Sequence, residues 1–143
     1  MRRVKHHYIS STVMDKAEVA TEEFLDGKLT PEQLMAKLKE LMPVHKTDSN
    51  TWKARVEGLF EVSEMLFQAV LDKGQQKHGE EWNRSRVVLE SKMRPFSYYH
   101  WVVGSREPVN NVLTRDDYLN DPTTALVKLE DDILSLARLF LTL

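Results

Sequence analysis

Apolar side chains recur every three or four residues along most of this 143-residue chain. The clearest run lies near the C-terminus and consists of Leu126, Leu129, Ile133, Leu136, Phe140 and Leu143. This spacing matches the 3.6-residue turn of an α-helix and collects the apolar side chains on one face. The pattern predicts a mainly α fold: a bundle of about five helices that begins with a helical hairpin and includes one short extended segment.

Capping residues divide residues 1–43 into two helices. The first is predicted over residues 11–26, and Gly27 stands where a helix end is expected. Thr30 and Gln33 have the spacing of a capping box, which predicts that a second helix begins there. Because few residues connect the two helices, they are expected to form an antiparallel hairpin.

Residues 50–143 are predicted to form the main bundle of the same domain. A third helix is expected to begin near Asn50 and to stop at Gly74, and a further helix is predicted over 80–93. The aromatic and β-branched stretch 96–103 indicates an extended segment, for which residues 4–9 are the available partner strand.

The last helix has the strongest start signal of this part of the chain. Asp121 is its expected cap, and Pro122 stands at its first position. Its second half is apolar around much of its circumference, so we expect it to be the most buried element or to make a subunit contact.

The composition excludes several classes of protein. Twenty Lys and Arg residues face 22 Asp and Glu residues, and the formal net charge of −2 gives no general attraction to nucleic acid. The absence of cysteine excludes disulfide scaffolds, thiolate metal sites and cysteine nucleophiles. No stretch reaches the run of about 18 apolar residues that a membrane span requires. We therefore expect a cytoplasmic protein without a membrane partner.

Acidic residues on two helices provide one candidate site. Glu61 and Glu64 lie three residues apart on the third helix, and Asp131 lies on the last helix. Carboxylates from two packed helices could hold Mg²⁺, whose bound waters can attack a phosphate. Glu61-Val62-Ser63-Glu64 resembles the first metal motif of the all-α nucleoside triphosphate pyrophosphohydrolases of the MazG-like superfamily. The last helix departs from the second motif, because Lys128 stands where that motif has its first acid.

A basic and aromatic block provides a second candidate, a nucleotide or nucleic-acid site. Basic side chains contact phosphates and aromatic rings stack on bases. The residues predicted to contact such a ligand are Arg84, Arg94, Tyr99, His100 and Trp101.

The leading hypothesis is a non-enzymatic interaction protein that binds a protein partner or forms a homo-oligomer. It needs no cofactor, and Mg²⁺ enters only with the pyrophosphohydrolase alternative. The surplus of apolar residues on the last helix motivates this hypothesis, because an apolar surface that the core does not use favours association. The expected interface residues are Leu136, Leu139, Phe140 and Leu143.

Overall fold

The computed structural model describes residues 6–82, 86–87 and 119–143, and this part of the chain is mainly helical. Its elements are α1 (Ser11–Leu25), α2 (Pro31–Leu41), α3 (Ser49–His78), a 3-10 turn (Gly79–Glu81) and α4 (Pro122–Thr142). The predicted α class is confirmed. The described residues contain no strand, and no described helix is long and apolar enough to span a membrane.

Two of the predicted elements lie wholly or largely outside the described residues. The extended segment 96–103 lies wholly outside the described residues, and most of the helix expected over 80–93 does too. Of residues 4–9, the predicted partner strand, residues 7–9 form bends rather than a strand, and residues 4 and 5 lie outside the described residues.

The N-terminal hairpin is built as the capping residues predict. The Thr30 hydroxyl accepts a hydrogen bond from the Gln33 amide at 3.1 Å, and the Gln33 side chain accepts one from the Thr30 amide at 2.9 Å. These bonds satisfy donors that the first turn of α2 would otherwise leave without acceptors. The buried residues of α1 and α2 join one apolar core with those of α3 and α4.

The prediction that Gly74 ends the third helix is wrong. α3 continues through Gly74 to His78, and Gly74 is buried. A Cβ atom at this position would overlap the indole of Trp82, which returns along α3 after the 3-10 turn. The glycine therefore makes room for a buried aromatic ring, and its modest helix-propensity cost does not stop a 30-residue helix.

Among the described elements α3, and not the last helix, is the most buried, so the prediction for the last helix is also wrong. Five consecutive residues of α3, from 56 to 60, are buried, so this part of the helix is covered on every side. α4 packs along α3 and places Leu129, Ile133 and Leu136 in the core with no exposed surface.

Two cations of α3 bind the C-terminal ends of other helices. Arg55 donates hydrogen bonds to the carbonyls of Met42 at 2.6 Å and Lys39 at 3.1 Å, at the end of α2. Burial lowers the pKa of Arg55, and the nearby charge of Glu130 opposes this shift. Lys73 donates to the Phe140 carbonyl at 2.7 Å, near the end of α4. Such contacts satisfy terminal carbonyls and favour the helix dipole.

Candidate functional site

The predicted interface residues of α4 contribute mainly to the core of their own chain. Leu136 has no exposed surface, and its side chain is therefore unavailable to a partner. Leu139, Phe140 and Leu143 are partly buried against the core, and the Phe140 ring lies 6.0 Å from the ring of Phe24. The apolar surplus in the second half of α4 is thus used largely within one chain.

The apolar surface that α4 leaves exposed lies on its opposite face. Val127 is 63% exposed and Leu141 is 52% exposed. Leu134, midway between them, is partly buried. With Asp131 and Arg138, these residues have the spacing 4-3-4-3, and at 100° per residue they fall within an arc of about 80°. We call the set Val127, Asp131, Leu134, Arg138 and Leu141 the outer stripe.

The two charged residues of the outer stripe have opposite signs and both are exposed. Arg138 donates a hydrogen bond to Glu32 of α2 at 2.9 Å, and this bond lowers the pKa of the Glu32 carboxyl. Within the described part of the chain, Asp131 forms no ion pair. The outer stripe therefore presents three apolar side chains, one cation already in contact with an acid, and one acid open to a cation from elsewhere.

The acidic residues of the proposed metal site are distributed over different surroundings. Glu61 and Glu64 are partly exposed on α3, whereas Asp131 is exposed on α4. Its neighbour Asp132 points inward and is 3% exposed. Residues 6–82, 86–87 and 119–143 contain no group of three histidine or acidic residues that could hold a metal ion. The Mg²⁺ site at Glu61, Glu64 and Asp131 remains a hypothesis.

Glu57 lies one turn before Glu61 and was not assigned to the predicted metal site; it is completely buried on α3. Its carboxylate accepts hydrogen bonds from three consecutive backbone amides: those of His7 at 2.9 Å, Tyr8 at 2.7 Å and Ile9 at 3.0 Å. Three donors supply the partners that a buried carboxylate requires. The only sequence signal was an acid inside an apolar stretch, since Val56 precedes it and Leu59 and Phe60 follow.

The predicted nucleotide-contacting residues Arg84, Arg94, Tyr99, His100 and Trp101 lie outside the described residues. The neighbouring described residues do show a basic and aromatic contact. The His78 ring stacks on the Trp82 ring with 5.1 Å between centroids, and the Arg86 guanidinium lies 5.5 Å from the Trp82 ring. Because Trp82 is 2% exposed, its indole serves packing in the described structure.

A groove of about 360 Å³ lies between α1 and α2. Its apolar part includes Val19, which is 55% exposed, and Leu41. Its rim carries both signs of charge, and Lys37 pairs with Glu23 across it at 3.1 Å. Because the charges at the rim largely offset each other, the groove does not favour either a positively or a negatively charged ligand.

No protein family, curated protein or solved structure matches this chain. The resemblance of the acidic motif to the MazG-like superfamily therefore extends only to the quoted residues. The chemistry of the described surface is the remaining basis for assigning a function.

Proposed function

We propose that this is a non-enzymatic helical protein that acts by self-association through the outer stripe of α4. The observation that carries the proposal is the exposure of Val127 and Leu141 on the face of α4 opposite the core. With Leu134 they recur every seven residues, which is the repeat of one apolar position in a seam between two paired helices.

The expected affinity is modest. α4 has 21 residues and is about 31 Å long at 1.5 Å per residue, so one helix pair provides only a narrow contact. Such a contact falls at or below the lower end of stable interfaces, which bury roughly 1,200–2,000 Å². We therefore expect a dissociation constant on the order of 10–100 µM, which corresponds to about 5.5–7 kcal/mol of association free energy.

The experiment measures solution mass by sedimentation equilibrium between about 5 µM and 1 mM, a range that brackets this affinity. Wild-type protein should change from one chain to two as the concentration rises. The variant Val127→Lys/Leu141→Lys should remain monomeric, because each dimer would bury four ammonium groups against apolar side chains. Its thermal unfolding should match the wild type, since both positions are exposed.

Val19→Lys is the control for the substitution type, because it places a lysine at an exposed valine on α1. It should leave the dimer intact. A wild-type protein that stays monomeric at 1 mM contradicts the proposal, as does a dimer that Val19→Lys abolishes and the α4 variant does not.

A further inference from the structure

We infer that the two copies pair their outer stripes in antiparallel orientation, around a two-fold axis that passes beside Leu134. This inference rests on the proposed self-association and specifies its geometry. An interface with two-fold symmetry must be complementary to itself, because each copy contributes the same surface. The outer stripe has this property in the antiparallel orientation only.

The apolar residues of the outer stripe are symmetric about Leu134. Val127 lies seven residues before it and Leu141 lies seven residues after it. A two-fold axis beside Leu134 therefore brings the two Leu134 side chains together. It places Val127 of each copy against Leu141 of the other, so both exposed apolar side chains become covered.

The charged residues select the same orientation. Asp131 lies three residues before Leu134 and Arg138 lies four residues after it, with opposite charge. In the antiparallel pair, position 131 of one copy lies opposite position 137 of the other. Asp131 of each copy is therefore only one residue out of register with Arg138 of the other. A parallel pair would bring Asp131 against Asp131 and Arg138 against Arg138, which is repulsive at both positions.

The existing contact of Arg138 is compatible with this second partner. Its guanidinium uses one terminal nitrogen for the bond to Glu32, and the side chain is 59% exposed. A guanidinium carries five N–H donors in a plane, so it can bind a second carboxylate without releasing the first. Glu32 would hold Arg138 in position for Asp131 of the second copy.

Single cysteines test the orientation cleanly, because the chain contains no cysteine of its own. The variants are Val127→Cys and Leu141→Cys, each oxidised alone and as an equimolar mixture in which one variant carries a mass tag. In the antiparallel pair, identical cysteines lie about 21 Å apart along the axis, too far for a disulfide. We expect disulfide dimers in the mixture, always between a tagged and an untagged chain, and few with either variant alone.

Each outcome has a defined meaning. Efficient disulfide formation by either variant alone indicates a parallel pair and overturns the inference, while the self-association stands. A dimer by mass that gives no disulfide from the mixture also overturns the inference, because it places the contact elsewhere. A monomer by mass removes the proposed function and the inference together. Ala36→Cys, at an exposed position of α2, measures the background of random oxidation.

Charge reversal tests the predicted ion pairs independently. Asp131→Arg and Arg138→Asp should each weaken the dimer about tenfold, since each converts two attractive contacts per dimer into two repulsive ones. An equimolar mixture of these two variants should dimerise at least as well as the wild type, because every facing pair is again opposite in sign. If the mixture is as weak as either variant alone, the assigned pairing of Asp131 with Arg138 is wrong.

Discussion

Glu57 and Asp131 are both acids on the long helices α3 and α4, and their surroundings are opposite. Glu57 has no exposed surface and accepts three backbone amides of the N-terminal segment. Asp131 is exposed on the outer stripe. A buried carboxylate is stable only when its hydrogen bonds are supplied by fixed donors, so Glu57 is committed to the fold. An exposed one contributes little to folding and remains available to a partner.

The largest expected effect is the loss of stability in Glu57→Leu. This change leaves three amides of residues 7–9 without their acceptor, and each such loss costs about 1–3 kcal/mol unless water reaches the group. Because the N-terminal segment can detach and become hydrated, we expect a total loss of roughly 3 kcal/mol in the free energy of unfolding. Urea unfolding measures it, and amide exchange should show that residues 7–9 lose protection.

Asp131→Leu is the matched control for that prediction, since it makes the same kind of change at the exposed acid. We expect its stability to stay within about 0.5 kcal/mol of the wild type. Similar losses in the two variants would refute the distinction between a structural acid and an available one.

The next effect in size concerns the contact between Gly74 and Trp82. Gly74→Leu places a side chain where the buried indole lies, so Trp82 must leave its site or α3 must shift. Overpacking of this kind costs about 1–3 kcal/mol. Thermal unfolding followed by circular dichroism measures the loss, and Ala36→Leu on exposed α2 surface provides the control. A Gly74→Leu variant as stable as that control would show that the indole packs elsewhere.

A smaller effect is expected where Lys73 joins α3 to the end of α4. Lys73→Met keeps the aliphatic stem but loses the bond to the Phe140 carbonyl and the ammonium contact with the Phe140 ring at 4.2 Å. We expect a loss of about 1 kcal/mol in the free energy of unfolding. Lys77→Met, at an exposed position of the same helix, should change it by less than about 0.5 kcal/mol.

The smallest effect is a pH dependence of the free energy of unfolding, which arises from the bond between Arg138 of the outer stripe and Glu32. The bond from Arg138 lowers the pKa of Glu32 from its ordinary value of 4.5. At pH values just below 4.5, Glu32 is therefore protonated less often in the folded state than in the unfolded state. The resulting stabilisation is complete above pH 4.5 and is lost as the pH falls through the lowered pKa of the folded state. In Arg138→Gln, the decline of stability below pH 4.5 should be less steep, and urea unfolding at several pH values measures it. An unchanged decline would show that Arg138 does not hold Glu32 in solution.

Local signals predicted the helix starts well, because caps act within a few residues. Thr30 with Gln33, and Asp121 before Pro122, marked the beginnings of α2 and α4 correctly. Gly74 misled the prediction for the same reason. A glycine near the end of an apolar pattern resembles a helix end, and only the return of Trp82, eight residues later, explains why it is needed inside the helix.

The candidate surface could be predicted only in part. The apolar excess of α4 led to the prediction of an interface, but Leu136 is buried and the other three predicted residues are partly buried against the core. Leu136 lies about 180° around the helix from Val127 at 100° per residue. The sequence shows that both residues are apolar, but it does not show which of them the rest of the protein covers.

The helical class, the N-terminal hairpin and the start of the last helix could all be predicted from the spacing of apolar and capping residues. These properties arise from contacts between residues close in sequence, so the order of residues contains them. Three other properties became known from the packed fold: α3 is the most buried of the described helices, Glu57 binds the N-terminal segment, and one face of α4 stays exposed. Each of those outcomes depends on residues tens of positions apart meeting in space, and burial is a property of the assembled core rather than of any one segment.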